Sequence, residues 1–487
     1  MLSQPARTSA KQKTTASEKA PVSPRTPGDS HIVWAPRFIV QETSGPHCEG
    51  ETDLNRGITA GDDGPIAIAV GRDQTGLGML RSLHAAGIRA VVACPAESFV
   101  TRSRWYRPTP GDVPWDGEPG PHACEYLRAM PLERAVVICG RDDAALWAAD
   151  LPTGTLADRF LTSSSPRAVL ETLQDKARFG EFLADTDMPH PRTFTVRSAA
   201  DIGAIPFGEL DRVFIKPVDS QRFVKVTGAK GLWVSDRSVF ERTWKKLEAQ
   251  GLHVIAQEYI PGRPSDHYFI DGFRDRHGAL TGLFARRRMR IYPPHFGNSS
   301  YCISIAMDEV AEARDRLIEL LERLQYRGIF SAEFKRDARD GKFRILEINT
   351  RAWWYVEFAA RCGINVCRMA YEDALGLPVT RAPENYPVGT GCTHLARDIR
   401  AVCARAQGRR VPPWKALLQW SRGYFSVFRL DDPMPGLVEF GKELARAFRH
   451  FFIARGSRGS SVLRNGDRSR SSDTAPHVGD DPEPPRG

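Results

Sequence analysis

The chain has 487 residues, of which 41% are hydrophobic, and its formal net charge at pH 7 is +9. A chain of this length is expected to fold as about two to four domains with substantial hydrophobic cores. The positive charge would suit an anionic partner. Because no zinc-finger spacing or RNA-binding aromatic motif is present, we do not expect nucleic acid binding. No apolar run approaches the ~18 residues of a membrane-spanning helix.

The nine cysteines are scattered along the sequence, and none forms a Cys-x-x-Cys pair. An odd number of isolated cysteines is typical of a protein kept in a reducing compartment rather than of a disulfide framework. The N-terminus has no apolar core of a secretory signal. Both observations predict a cytoplasmic protein.

Both ends of the sequence have the composition of disordered chain. Residues 1–63 and 456–487 are rich in small polar residues, Pro, Gly and charge. Such segments bury too little apolar surface to fold. We therefore predict two disordered tails that take no part in catalysis.

Residues 64–160 alternate short apolar runs with helical patterns. Strands are predicted at 66–71, 89–94 and 136–139, and helices at 79–86 and 142–149. This order predicts a small open α/β domain built on right-handed crossovers. Gly71, Gly76 and Gly78 lack the G-x-G-x-x-G spacing, so we interpret them as tight-turn and close-packing glycines rather than a dinucleotide site.

Beyond residue 163 the predicted elements are helices and strands of an α+β type. An amphipathic helix is predicted over 166–185, a flexible polar segment over 218–231, and a long helix over 308–324. Strands are predicted at 193–196, 213–217, 254–260, 267–271 and 280–292. The last strand carries Arg286, Arg288 and Arg290 at alternate positions, so their side chains are expected on one face.

A β-hairpin is predicted from 330–337 and 343–351, with Asp340-Gly341 as its turn signal. Glu347 and Asn349 share a face of the second strand. A two-residue turn would place Phe334 opposite Glu347 and turn Glu333 away. A three-residue loop over 339–341, with glycine in the left-handed conformation, places Glu333 opposite Glu347. We predict the second register.

That register brings two carboxylates and an amide oxygen together. Two carboxylates ~4 Å apart repel by roughly 4 kcal/mol at an effective dielectric constant of 20. A hard divalent cation would offset this repulsion, and Mg²⁺ is commonly held by one or two carboxylates together with substrate phosphates. The alternative is a solvated strand face that carries ordinary charges.

Five short motifs follow one another along the chain. They are Asp175-Lys176, Ile215-Lys216-Pro217, Gln257-Glu258-Tyr259-Ile260-Pro261-Gly262, Glu333-Phe334 and Leu346-Glu347-Ile348-Asn349-Thr350-Arg351. Together they resemble the ATP-grasp superfamily of carboxylate–amine ligases over roughly residues 64–380. Thr350 stands where that family usually has proline. The segment after Lys216 is longer and more basic than the family's Ser/Gly loop.

The resemblance implies an ATP-grasp domain of two subdomains at 161–380, preceded by the α/β domain and followed by a helical extension at 381–455. ATP would lie between the subdomains. The residues implied for the nucleotide are Lys176, Lys216 and Lys230 at the phosphates and Glu258, Tyr259 and Ile260 at the adenine. Asp266 would bind the ribose hydroxyls or cap its own loop. Glu333, Glu347 and Asn349 would hold one or two Mg²⁺ ions, with Mn²⁺ as a substitute.

The implied reaction joins a small-molecule carboxylate to an amine through an acyl phosphate, with release of ADP and phosphate. Arg288, Arg290 and Arg351 would hold the substrate carboxylate and the migrating phosphoryl group. The alternatives are a small-molecule kinase and a nucleotide-binding scaffold without turnover. A homodimer paired through helices of the α/β domain is also open.

Two aromatic or amphipathic stretches have two interpretations each. Trp353-Trp354-Tyr355 would pack a helix on the sheet or line a substrate pocket, and we favour packing. The final amphipathic helix, predicted over 437–452, would dock on the core with a basic outer face or touch an acidic membrane surface. We favour core docking.

Overall fold

The computed structural model describes residues 64–459 except 211, 218–219, 229–230, 295–296 and 405–410. The predicted N-terminal tail and Lys230 therefore lie outside the described residues. So does the predicted C-terminal tail from residue 460 onward. The final helix continues to Gly459, into the segment that we predicted to be disordered.

The N-terminal α/β region forms a parallel sheet with the strand order β2-β1-β3-β4. Its strands are β1 (Ile66–Val70), β2 (Ala90–Ala93), β3 (Ala135–Cys139) and β4 (Phe160–Leu161). Its helices are α1 (Asp73–Ala85), α2 (Pro121–Ala129) and α3 (Asp142–Ala148). The predicted open α/β arrangement is thus confirmed.

The glycines after β1 lie in its connection to α1 and within that helix. Gly71 lies in the two-residue connection between β1 and α1, as the turn interpretation expects. Helix α1 begins at Asp73, earlier than predicted, so Gly76 and Gly78 lie within it. A Cβ at Gly76 would come within 2.6 Å of the Gly71 carbonyl oxygen, and one at Gly78 within 2.9 Å of Val356, so both are close-packing glycines.

The helix predicted over 166–185 is two helices, α4 (Arg167–Gln174) and α5 (Lys176–Ala184). Asp175 separates them as the N-cap of α5, since its carboxylate accepts from the backbone N–H groups of Ala177 and Arg178. Such a cap favours a new helix start over a continuous helix. Lys176 is consequently the first residue of α5.

A small antiparallel sheet follows with the strand order β5-β8-β6-β7. The strands are β5 (Thr193–Val196), β6 (Val213–Pro217), β7 (Leu232–Val234) and β8 (Val254–Glu258). The helices are α6 (Ala199–Gly203), α7 (Ser220–Thr227) and α8 (Arg237–Glu248). Helix α7 occupies much of the segment predicted to be flexible, and that prediction is wrong there.

The large sheet has the strand order β13-β12-β9-β10-β11-β14-β15. Its strands are β9 (His267–Arg274), β10 (Leu280–Tyr292), β11 (Asn298–Ser304), β12 (Gly328–Arg336), β13 (Phe343–Asn349), β14 (Gly391–Thr393) and β15 (Tyr424–Phe425). The remaining helices are α9 (Ala311–Arg323), α10 (Val356–Arg361), α11 (Val366–Ala374), α12 (Leu395–Cys403), α13 (Pro413–Ser421) and α14 (Met434–Gly459). Strand β11 was not predicted. The predicted helical extension also contributes β14 and β15 to this sheet.

The hydrophobic cores join the N-terminal sheet to the large sheet. Ile68 and Val70 of β1 pack in a core shared with β12, β13 and α9, whereas Ala67 and Ala69 pack in a second core with α1, α10 and α11. The small sheet has a core of its own. Within residues 64–459, apart from the short gaps, no helix combines the length and apolar character needed to cross a bilayer.

Candidate active site

A cleft of about 830 Å³ lies between the small sheet and the large sheet. The small sheet contributes Lys216 of β6 and the stretch from Gln257 to Ile260 at the end of β8. The large sheet contributes Glu333 of β12 and Glu347 of β13. Most of the residues singled out from the sequence therefore line one cavity.

The hairpin β12–β13 has the predicted register at its functional end. Glu333 pairs with Glu347, and Ser331 pairs with Asn349. The turn itself differs from the prediction, because the Asp337 N–H donates to the Lys342 carbonyl and the loop is one residue longer. A bulge between Glu333 and Phe334 compensates for this extra residue. Gly341 has a φ of +74°, as the predicted left-handed position requires.

Glu333 is held ionised by two neighbours. His267 Nδ1 lies 2.8 Å and Arg288 Nη2 3.0 Å from its Oε1 atom. Burial alone would raise the pKa of Glu333, but Arg288 and the His267 hydrogen bond outweigh it and hold the pKa well below its usual range. Burial, aided by Arg288, lowers the pKa of His267 to about 4, so the neutral imidazole donates its Nδ1 proton.

Glu347 is more exposed to solvent than Glu333. Asn349 Nδ2 lies 3.3 Å from Glu347 Oε1, and Asn349 Oδ1 accepts from Arg351 Nη2 at 3.0 Å. Arg351 Nε in turn donates to Asp142 Oδ1 at 2.9 Å. Because Asp142 is the first residue of α3, this chain of contacts connects the hairpin to the N-terminal sheet.

The hairpin fits the donor set of a magnesium ion completed by a substrate. Among the described residues, no group of three or more His, Cys, Asp or Glu side chains is arranged to hold a metal by itself. Mg²⁺ usually takes only one or two carboxylates and completes its shell with phosphate oxygens and water. Both hydrogen bonds to Glu333 fall on Oε1. The second oxygen, the Glu347 carboxylate and the Asn349 amide therefore suit such an ion.

Both predicted phosphate-binding lysines within the described residues line the cleft. Lys216 Nζ donates to Gln257 Oε1 at 2.6 Å. Burial lowers the pKa of Lys216, with Lys176 acting in the same direction, while Glu347 and Glu333 oppose the shift. These electrostatic couplings mean that the lysines and the carboxylates act on one another within a single site.

The predicted adenine hinge is fastened to the hairpin. Glu258 Oε1 lies 2.6 Å from Arg339 Nη1 in the β12–β13 loop, and Glu258 Oε2 accepts from the Arg192 backbone N–H at 3.1 Å. The Tyr259 N–H donates to the Arg212 carbonyl oxygen at 3.0 Å. The Glu258 side chain is thus engaged within the protein, and Tyr259 and Ile260 follow it along the cleft wall.

The chain is similar in sequence to one curated enzyme. Over 226 residues the chain is 24% identical to the D-aspartate ligase of Enterococcus faecium strain Aus0004. The aligned region covers 45% of this chain and 53% of that enzyme. The chain therefore spans about half the length of this curated relative. No protein-family model matches the sequence.

Two solved structures are similar in fold. One is the biotin carboxylase domain of Hydrogenobacter thermophilus 2-oxoglutarate carboxylase with MgADP, ADP and bicarbonate, at a TM-score of 0.52 and 14% identity, covering 67% of this chain and 72% of that one. The other is the ATP complex of carboxyaminoimidazole ribonucleotide synthase from Aspergillus clavatus, at a TM-score of 0.50 and 11% identity. That match covers 67% of this chain and 80% of the synthase chain. The chain has the ATP-grasp fold.

Two residues predicted for the ATP-grasp site lie outside the cleft lining in the described structure. Arg290 donates to Asp398 at 2.8 and 2.5 Å and to Gln419 at 2.5 Å. Irregular pairing on both sides of Arg290 breaks the alternation that was expected to align it with Arg288. Asp266 accepts from the Arg263 N–H at 2.6 Å, which matches its loop-capping interpretation.

Several residues that line the cleft were not predicted from the sequence. Lys335 lies on the same face of β12 as Glu333, with its ammonium 4.4 Å from the centre of the Tyr259 ring. Burial lowers the pKa of Lys335 to about 8. Period-two alternation from Glu333 would have found it. The Phe214 and Trp233 rings lie beside Tyr259 with their centres 3.9 Å apart and their planes tilted by 32°, a contact between separate strands that leaves no sequence signal.

The far end of the cleft is lined by the Trp353-Trp354-Tyr355 stretch. Trp353 and Tyr355 are also buried in the core shared with α1, and the Tyr355 hydroxyl donates to the Ser299 carbonyl oxygen at 2.5 Å. The packing interpretation that we favoured is therefore confirmed, and the stretch also lines the cleft. Gln74 Nε2 donates to the Trp354 carbonyl oxygen at 2.8 Å, which positions the stretch from α1.

Proposed function

We propose that the protein is an ATP-dependent ligase that joins a carboxylate to an amine through an acyl phosphate and releases ADP and phosphate. The observation that carries the proposal is the pairing of Glu333 with Glu347 across the hairpin, in one cleft with Lys176 and Lys216. Phosphoryl transfer depends mainly on positioning and charge neutralisation, and this set of side chains is suited to both.

We assign the phosphates of ATP to Lys176 and Lys216, with Lys230 as a further candidate outside the described residues. Glu333, Glu347 and Asn349 would hold one or two Mg²⁺ ions, and Mn²⁺ would suit the same oxygen donors. The bound ion would neutralise charge on the transferring phosphoryl group. His267 and Arg288 keep Glu333 ionised and oriented.

The adenine is assigned to the Tyr259 and Ile260 backbone, with Glu258 holding this hinge through Arg339. The Phe214, Trp233 and Tyr259 rings offer aromatic surface next to it. Asp266 is assigned to capping rather than to the ribose, because its carboxylate already accepts the Arg263 N–H.

The proposed reaction has two steps. A substrate carboxylate oxygen attacks the γ-phosphorus, the bond to the β-phosphate oxygen breaks, and ADP leaves. The amine nitrogen then attacks the acyl carbon, phosphate leaves with the bonding electrons, and the nitrogen loses a proton. Arg288 and Arg351 line the cleft. We assign them to the substrate carboxylate and the phosphoryl oxygens, because a guanidinium is suited to both.

The test is a turnover assay with purified protein, ATP, Mg²⁺ and a panel of amino acids. The name of the Enterococcus relative makes both enantiomers of aspartate the first members of that panel. We expect ADP and phosphate only when a carboxylate and an amine are both present. A stable phosphorylated product without phosphate release would indicate a kinase, and nucleotide binding without ADP formation would indicate a binding module.

The organisation around the site completes the proposal. We assign residues 64–160 to a domain that precedes the ATP-grasp domain at 161–380, and 381–455 to an extension packed on it. A cytoplasmic location remains our proposal, as does a homodimer. Most of α1 is buried, so pairing through that helix is not favoured.

A further inference from the structure

The last helix, α14, exposes apolar side chains. Leu437 is 55%, Phe440 40% and Leu444 48% exposed. Their spacing of three and four residues places them on one helical face. We call these three residues the apolar face of α14. In the sequence the same spacing continues at Phe448, Phe451 and Phe452.

The opposite side of α14, which is polar, packs on the protein. Glu443 is buried and pairs with Arg400 of α12 at 2.8 Å. Glu439 Oε1 lies 3.6 Å from His394 Nε2, and Lys442 Nζ donates to the Glu97 carbonyl oxygen at 2.6 Å. Val438 packs against the core, but Leu437, Phe440 and Leu444 do not. For the described side chains, which end at residue 446, the core-docked interpretation that we favoured therefore fails for most of the apolar positions.

Helix α13 also exposes apolar side chains. Trp414 and Leu417 of α13 are 67% and 60% exposed. Helix α12 contacts both helices, because Trp420 of α13 donates to Asp398 at 2.8 Å and Arg400 donates to the Glu443 carbonyl oxygen at 2.8 Å. Apolar exposure is therefore concentrated in the C-terminal extension around α12. Exposed patches of this kind mark interaction surfaces.

The charge around the apolar face indicates what covers it. Residues 437–470 contain three acidic side chains, Glu439, Glu443 and Asp467. Their eight basic side chains are Lys442, Arg446, Arg449, Arg455, Arg458, Arg464, Arg468 and Arg470. The net charge of residues 437–470 is therefore +5, from eight basic less three acidic side chains. Two copies of such a surface would repel each other, whereas an anionic surface would attract it.

We propose that α14 docks the protein on the surface of a bilayer that contains anionic lipids. The apolar face would enter the boundary between headgroups and acyl chains, with the helix in the plane of the membrane. The basic side chains would meet lipid phosphates. An amphipathic helix with a basic flank binds membranes in this way without spanning them. The proposal is independent of the reaction in the cleft.

The experiment is co-sedimentation of the full-length protein with vesicles. One set consists of phosphatidylcholine alone, and the other of equal parts phosphatidylcholine and phosphatidylglycerol. We expect binding to be at least about 10-fold stronger to the anionic vesicles and to weaken at high salt, because salt screens surface charge. Equal binding to both sets, or no binding to either, would overturn the proposal.

The decisive variant combines Leu437→Ser, Phe440→Ser and Leu444→Ser. Because these side chains are exposed, the unfolding temperature should be kept while vesicle binding falls about 10-fold or more. A matched control combines Leu377→Ser and Val388→Ser, which remove exposed apolar side chains elsewhere. Unchanged vesicle binding by the triple variant contradicts the proposal. So does a wild-type dimer in light scattering that the triple variant converts to monomer, since the face would then be a dimer interface.

Discussion

The two hairpin carboxylates face each other but have unlike surroundings. Glu333 is held by His267 and Arg288, whereas Glu347 is exposed and contacts Asn349. Removal of charge at Glu333 would therefore leave Arg288 without its partner and disturb the packing. The same change at Glu347 alters the metal donor set with little effect on the fold.

We predict that Glu347→Gln lowers the rate of ADP formation by about 100-fold or more, because an oxygen ligand for the metal loses its charge. The free energy of unfolding should change by less than about 0.5 kcal/mol, as at other exposed positions. Turnover and thermal unfolding measure the two effects. Asp340→Asn, in the loop of the same hairpin, is the control. An unaltered rate for Glu347→Gln would show that the metal assignment is wrong.

Arg288 and Arg290 differ in what their guanidinium groups hold. Arg288 contacts Glu333 in the cleft, and Arg290 forms two hydrogen bonds with the fully buried Asp398. The first contact concerns the chemistry of the site. The second connects β10 to α12 and concerns the stability of the fold.

We predict that Arg290→Met destabilises the protein by about 3 kcal/mol, because Asp398 is left buried without its cation. The rate per folded molecule should stay close to that of the wild type. Denaturant unfolding and single-substrate kinetics below the unfolding transition separate the two quantities. Arg288→Met is the counterpart and should lower the rate. A stable Arg290→Met protein without turnover would show that Arg290 takes part in the reaction.

At the scale of elements, the loop of the hairpin connects the two walls of the cleft. Arg339 binds Asp337 of its own loop at 2.6 Å and Glu258 of the hinge at 2.6 Å. The Ala338 N–H donates to the Pro261 carbonyl oxygen at 3.1 Å. Burial opposes ionisation of Asp337, but its hydrogen bonds from Arg339 and Arg344 lower the pKa to about 2. The loop is therefore well ordered by charge-assisted bonds.

We predict that Arg339→Ala raises the KM for ATP by about 10-fold and changes kcat by less than about threefold, because the hinge loses its anchor while the reacting groups remain. Steady-state kinetics with varied ATP provides the measurement. Arg339→Lys should restore part of the affinity, since one charge still reaches Glu258. Lys342→Ala, exposed in the same loop, is the control. A fall of about 10-fold in kcat with no change in the KM for ATP would contradict the positioning role.

At the scale of the molecule, the walls of the cleft belong to different cores. The small sheet packs around its own residues, whereas the large sheet shares its cores with the N-terminal sheet. A ligand bound by Lys216 on one wall and by Glu333 and Glu347 on the other would connect these units. Binding to the folded form alone stabilises it by mass action.

We predict that ATP with Mg²⁺ stabilises the protein against unfolding by about 2.7 kcal/mol at 100 times its Kd. Chelation of Mg²⁺ should remove most of this gain. Thermal unfolding with and without nucleotide is the measurement. Lys216→Met should abolish the gain because a phosphate contact is lost, and Lys245→Met on α8 should retain it. An undiminished shift in Lys216→Met would exclude that lysine from the nucleotide site.

The order of the motifs and the α/β character of the N-terminal region were predictable from the sequence, because both follow from motif spacing and strand alternation. The pairing of Glu333 with Glu347 was predicted through a three-residue turn, whereas it occurs with a longer loop whose extra residue is offset by a bulge. The seven-residue strand β11 and the two-residue strand β15 were not predicted, because their pairing depends on the strands beside them.

The bulges, the surroundings of Arg290 and the orientation of α14 depend on tertiary contacts. A bulge adds one residue without changing composition, so alternation alone misplaces every side chain beyond it. The apolar pattern of α14 defines a face but not what that face meets. Here Arg400 binds Glu443 and holds the polar side inward, so the apolar side is left to solvent. That outcome depends on partners far away in the sequence.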